Sequence, residues 1–173
     1  MSKNTSDQNI TSNIPSAQDG KRLLSSKIKK ATPLYRHKGI KESSLEDIYS
    51  CAYNLYNSKK YEQALKLFQG MAVYNHIDKR FWMGIGACNQ MLQQYSNAIP
   101  AYFYATILDP DDPLPLFYSV ECHLALKNYP QACAALEAIK PILEDKPECK
   151  ISRTRAEEMR DIIEQGIQKN HKK

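Results

Sequence analysis

Tyr49, Tyr53 and Tyr56 stand four and three residues apart, so on a helix their phenols fall on one stripe. A phenol offers apolar area together with a hydroxyl that can donate or accept a hydrogen bond, and a row of them suits the holding of another chain. Bond-making chemistry has less to work with. The four histidines, His37, His76, His123 and His171, fall in no HExxH pattern and no metal-ligand spacing. Gly84-Ile85-Gly86 is a bare GxG inside a helical pattern, without the strand-turn-helix setting of a phosphate loop. No catalytic group, metal or cofactor is expected. The five cysteines, Cys51, Cys88, Cys122, Cys133 and Cys149, are odd in number and form no CxxC. That argues against a disulfide framework or zinc site and predicts buried, reduced thiols.

The unit that must position the tyrosines is written three times. Tyr61-Glu62-Gln63-Ala64 recurs as Tyr95-Ser96-Asn97-Ala98 and again as Tyr129-Pro130-Gln131-Ala132, each copy 34 residues after the last. A fixed period of 34 marks the tetratricopeptide repeat, a stacked pair of helices. The chain therefore reads as all-α, with three repeats over residues 45–144. The first helices of the pairs are predicted from Leu45 to Ser58, Lys79 to Leu92 and Leu114 to Leu126. Their partners run from Tyr61 to Tyr74, Ser96 to Leu108 and Pro130 to Leu143. Ser44 reads as an N-cap, with Asp47 three residues on. Pro100 and Pro130 lie in first turns, where a missing N–H is tolerated. Asp109-Pro110-Asp111-Asp112-Pro113 is a turn, and Asp112 can cap the helix after it.

The repeated letters follow from packing. Trp82, Ile48 and Leu116 share a position where a large side chain wedges between paired helices. Gly86, Ala52 and Val120 share one where the two helices approach closely, and Ala64, Ala98 and Ala132 share the other side of that contact. In the first repeat Ile48, Cys51, Ala52 and Leu55 would fill the core, leaving the tyrosine row on the opposite, concave side. The equivalent positions of the second repeat are Met83, Ala87, Gln90 and Met91, and those of the third include Phe117, Glu121 and Leu124. Such a groove is mostly apolar with a few polar handles, and its methionines can adapt to differently shaped guests. It suits an extended peptide with apolar anchors. Tyr49, Tyr53, Gly84, Leu114 and Tyr118 stand where carboxylate-clamp repeats carry Lys, Asn and Arg, which excludes capture of a terminal carboxylate.

Outside the repeats, residues 1–20 are polar and read as a disordered leader. Residues 21–44 form a basic arm, helical over about 21–32, with Leu23, Leu24 and Ile28 on one face. Residues 145–173 supply a helix, with Ile151, Met159, Ile162, Ile163 and Ile167 among many charges, to close the stack. The net charge of +5 is unevenly spread. Residues 1–44 hold 9 basic and 3 acidic side chains, whereas 45–144 hold 7 and 10. A nucleic-acid binder gathers its basic residues on a folded surface; here they lie in the tails, which argues against that class. No apolar run approaches the roughly 20 residues a membrane span needs.

The run Ile48-Tyr49-Ser50-Cys51-Ala52-Tyr53-Asn54-Leu55-Tyr56, followed by Lys60-Tyr61-Glu62-Gln63-Ala64, resembles the first repeat of the class II translocator chaperones of type III secretion, the LcrH/SycD type. So do Asp78-Lys79-Arg80-Phe81-Trp82-Met83-Gly84-Ile85-Gly86-Ala87-Cys88, Gln94-Tyr95-Ser96-Asn97-Ala98-Ile99 and Asp145-Lys146-Pro147-Glu148. The resemblance spans about residues 34–160 and leaves the first 30 unmatched. It implies a bacterial cytoplasmic chaperone, not an enzyme, that keeps hydrophobic translocator proteins soluble and export-competent. The client would lie as a short extended segment in the concave groove. The resemblance puts the groove aromatics on Tyr49, Tyr53, Tyr56 and Tyr61, and it implies a homodimer formed through N-terminal or first-repeat surfaces. The residues alone also admit a general tetratricopeptide scaffold in a regulatory assembly.

Overall fold

The computed structural model describes residues 17–145 and 150–170. Among them are ten α-helices and no strand: α1 (Ala17–Lys29), α2 (Leu34–His37), α3 (Glu42–Asn57), α4 (Tyr61–Tyr74), α5 (Lys79–Met91), α6 (Tyr95–Leu108), α7 (Leu114–Ala125), α8 (Tyr129–Glu137), α9 (Lys140–Glu144) and α10 (Lys150–Asn170). From α3 to α8 each helix packs on the next, giving three helix pairs in a stack. The expected leader falls largely outside the described residues, as do Cys149, the side chain of Ile151 and the C-terminal His-Lys-Lys.

The small residues sit where the repeat pattern put them. Ala52, Ala64, Ala98, Val120 and Ala132 have no accessible surface. Gly86 lies under the Tyr102 ring, so close that an added Cβ would stand 2.5 Å from it. Gly84 lies under Phe68 in the same way, at 2.6 Å. Trp82 packs against Tyr104 with ring centroids 4.3 Å apart, and its Nε1 donates to the His76 carbonyl at 2.8 Å.

A second 34-residue rhythm appears only in the backbone. Lys59, Gln93 and Lys127 adopt positive φ of 60°, 59° and 56°. Each follows the first helix of its pair and closes it. The amide of the next residue reaches back to an orphan carbonyl, Lys60 to Leu55 at 2.9 Å, Gln94 to Asn89 at 2.8 Å and Asn128 to His123 at 2.8 Å. No glycine marks these turns; each left-handed side chain costs about 1 kcal/mol, which the hydrogen bonds offset.

Several expectations are corrected. Ser44 lies inside the first turn of α3 and Lys41 is the N-cap, without a side-chain bond. Asp78 and Asp112 do cap, accepting from the amides of Arg80 and Leu114 at 2.9 Å each. The last repeat helix does not run through to Leu143. It stops at Glu137, because Pro141 has no N–H to continue the ladder, and α9 restarts at Lys140. Ile48 is 40% exposed and Cys51 is exposed, because no earlier repeat covers the outer side of α3. Cys133 is exposed as well. Only Cys88 and Cys122 are buried among the described cysteines, and burial pushes their thiols up to about 11 and about 12.

The arm is helical but docks by its polar side. Leu23 and Leu24 are 56% and 46% exposed, while Gln18 Nε2 donates to the Pro110 carbonyl at 2.8 Å and Ser25 Oγ to the Leu108 carbonyl at 2.9 Å. Arg22 joins Asp111 and Asp145 at 2.9 and 3.0 Å. Beside this strap, Lys79 Nζ bridges Asp109 and Asp112, 2.7 Å from each. At the far end α10 buries Met159 and Ile163 against Leu116, Val120 and Leu136, leaving Ile162 exposed.

Two stability predictions follow from these contacts. Ala98→Leu forces side-chain volume into a closed helix contact, at about 1–3 kcal/mol, and should lower the melting temperature by roughly 3–10 °C; an unchanged melting curve would reject the packing described. Burial is the largest single influence on the Asp109 carboxyl and would raise it, but the hydrogen bond and charge of Lys79, with smaller help from Lys29 and the Asp111 amide, together outweigh it and the net direction is down. The pair therefore stabilises the fold above the ordinary carboxylate range, and that contribution is lost as pH falls through the lowered value. Lys79→Met should melt earlier than the parent at pH 7, with the gap closing below about pH 4; a gap that persists in acid would contradict the ion pair.

Candidate functional site

An open trough of about 320 Å³ runs along the inner side of the first two repeats. Two helices, α3 and α5, build most of it. On α3 the four-and-three spacing puts Tyr49, Tyr53 and Tyr56 on one wall. On α5 the same periodicity brings Arg80, Met83, Gly84, Ala87, Gln90 and Met91 to the floor and the opposite wall. Phe68 of α4 reaches the floor through the space that Gly84 leaves, and Tyr102 of α6 does so beside Gly86.

The rings support one another. Tyr49 stacks on Tyr53 with centroids 6.3 Å apart and planes 21° from parallel, and meets the edge of Phe68 at 6.0 Å. Tyr102 stacks on Tyr118 at 5.3 Å. Tyr53 is 53% exposed, so half of its surface is open to a guest. Burial raises the Tyr49 and Tyr56 phenols above their ordinary value.

The charged groups at the trough are internally paired. Arg80 lies 4.8 Å from the Tyr49 ring centre. Its guanidinium donates to both Glu46 oxygens, at 2.6 and 3.0 Å, and to Asp78 Oδ2 at 2.7 Å. These hydrogen bonds hold the Glu46 carboxyl below the usual range and raise the arginine further. At the other end the Tyr102 hydroxyl donates to Gln90 Oε1 at 2.7 Å, and Gln90 Nε2 donates to Glu121 Oε2 at 2.9 Å. Arg155 Nη2, on α10, donates to the other Glu121 oxygen. The surface facing into the trough is left mainly apolar. Such a site can hold hydrophobic side chains.

Of the residues read from sequence, Tyr49, Tyr53, Tyr56, Met83, Ala87, Gln90 and Met91 are brought together here. Four are not on this wall. Tyr61 meets Tyr56 edge-to-face, with ring centroids 5.4 Å apart, and lines a separate recess with Lys59, Lys60 and Leu92. Phe117 has no accessible surface and lies beneath the Arg155 guanidinium, 4.8 Å away. Glu121 is engaged by Gln90 and Arg155, and Leu124 packs into the core of the third repeat. For Phe117, Glu121 and Leu124 the common cause is α10, which covers the inner side of α7. Sequence reading missed Phe68, Arg80, Gly84, Tyr102 and Tyr118 as trough residues. The spacing of Gly84 and Gly86 was a signal, but the two rings that fill their gaps come from other helices.

Residues 45–74 and 81–112 match the tetratricopeptide repeat family. The chain is 39% identical, over 132 residues, to the low calcium response locus protein H of Yersinia pseudotuberculosis, covering 76% of this chain and 79% of that protein. It also superposes on the Yersinia enterocolitica type III secretion translocator chaperone SycD, solved in complex with a peptide of the translocator YopD. There the TM-score is 0.66 and the identity 38%, with 72% of this chain and 95% of that chain covered. PcrH of Pseudomonas aeruginosa, solved with the chaperone binding region of PopB, superposes with a TM-score of 0.65 at 31% identity, covering 70% and 98% of the two chains. By sequence, repeat pattern and fold alike, the chain belongs to the LcrH/SycD family of tetratricopeptide-repeat type III secretion chaperones.

Proposed function

We propose that this chain is a cytoplasmic, non-enzymatic chaperone that binds hydrophobic type III secretion translocator proteins and keeps them soluble and export-competent, holding an extended segment of the client in the aromatic trough. The observation that carries the reading is the open apolar trough in a chain so similar to SycD and PcrH, which were solved with translocator segments. Among the described residues no helix is long and apolar enough to cross a membrane.

The mechanism is occupancy. A membrane-inserting client exposes apolar segments that otherwise aggregate or insert too early. Tyr49, Tyr53 and Tyr56 would take one side of such a segment, and Met83, Ala87 and Met91 the other. Each Leu-sized anchor removed from water contributes roughly 1.5–3 kcal/mol. Two or three such anchors supply roughly 3–9 kcal/mol before the cost of ordering the peptide, so micromolar affinity also draws on the remaining contacts along the trough. Because Arg80 and Glu121 are already paired, the trough selects by apolar shape more than by charge.

Co-expression should render a translocator of the same secretion system soluble, and a translocator that stays insoluble would favour a general scaffold role instead. In calorimetry with the YopD peptide, Tyr49→Ala combined with Tyr53→Ala should weaken binding about 10- to 100-fold, two hot-spot rings being lost. Circular dichroism should show the helical content of the variant unchanged. Undiminished affinity would place the client elsewhere.

A further inference from the structure

Taking the trough as the client site, we infer that Arg155 is a positioning residue for it: through Glu121, it sets the side-chain amide of Gln90 as a hydrogen-bond donor to the client backbone.

Among the described residues, Gln90 is the one side-chain amide lining the trough. Two bonds decide which way it faces. Its oxygen accepts from the Tyr102 hydroxyl and its nitrogen donates to Glu121. Turned over, the amide oxygen would meet the Glu121 carboxylate with no proton between them. Glu121 is fixed in turn by Arg155, whose guanidinium also lies 4.8 Å from the Phe117 ring centre and 5.4 Å from that of Tyr118. These groups are partly buried, where charge-assisted bonds are stronger than in water. The order thus passes from α10 through α7 to α5.

An amide nitrogen has two N–H groups and an amide oxygen two lone pairs. One of each is used within the protein, so Gln90 keeps one donor and one acceptor position for a guest. Apolar anchors alone let an extended peptide settle in more than one register, because burial is non-directional. A directed N–H at one end of the trough meets a backbone carbonyl only in one of them. Arg155, with its charge committed to Glu121 and its guanidinium over the Phe117 and Tyr118 rings, does not itself line the trough and reaches the client through the groups it orders, Gln90 foremost.

The test is calorimetry with the YopD peptide and with versions of it in which single backbone amides are replaced by esters, whose carbonyls accept hydrogen bonds more weakly. For the parent, one ester position should weaken binding roughly three- to ten-fold, the size of one hydrogen bond. Arg155→Met keeps the apolar stem and removes the charge. It should weaken the unmodified peptide by a similar factor and abolish the ester penalty at that position, leaving the losses from truncated apolar anchors unchanged. Gln90→Leu should reproduce this without touching α10. If Arg155→Met retains the full ester profile, Arg155 merely holds α10 in place and its assignment is overturned while the trough stands. A Gln90→Leu variant with an unaltered profile overturns it equally, even should Arg155→Met fail to fold. If instead the Tyr49→Ala, Tyr53→Ala variant binds the YopD peptide as the parent does, the trough reading itself falls.

Discussion

The trough has a floor because aromatic rings lie directly on backbone. Phe68 rests on Gly84 and Tyr102 on Gly86, with no side chain between. Ala64 and Ala98, wholly buried, let the second helix of the first two pairs approach its partner closely. Interiors are packed too densely to absorb even one methylene without a shift. These few small residues therefore set the spacing of α3 to α6, and that spacing sets the width available to a guest. The tyrosine wall depends on the same contacts, since Tyr49 is steadied by an edge contact with Phe68 and a tilted one with Phe81.

Polar groups hold the ends of the repeats instead of their interiors. The turns after α4 and α6 carry Asp78, Asp109 and Asp112, and each is answered by a cation or a helix amide. The basic arm belongs to this system. Its Arg22 ties the turn after α6 to Asp145 beyond α9, so α1 fastens successive repeats along one edge of the stack. Docking by Gln18, Arg22 and Ser25 leaves its leucines outward, the reverse of an amphipathic helix that buries its apolar side.

The third repeat plays a different part from the first two. In a solenoid the last repeat must be capped, and α10 does this by covering α7 and α8. Capping removes Phe117 and Leu124 from the inner surface and turns Glu121 into a link between α10 and Gln90. The usable trough therefore spans two repeats and ends at Tyr118, where a polar chain replaces the apolar wall.

Much of this was legible in the chain of letters. The 34-residue spacing of Ala64, Ala98 and Ala132 required stacked helix pairs, because only a repeating close contact needs a repeating small residue. The spacing of Tyr49, Tyr53 and Tyr56 placed three rings on one stripe. Element bounds came within a few residues, except where Pro141 split the last repeat helix. Local periodicity says which residues share a helical face, but not what lies opposite that face. The missing neighbour left Ile48 and Cys51 exposed, and the added neighbour α10 buried Phe117. The partners of Gly84 and Gly86, the polar docking of α1 and the Arg155–Glu121–Gln90 chain join residues far apart in sequence. They were decided by tertiary packing, because the energy of each contact depends on both partners being brought together.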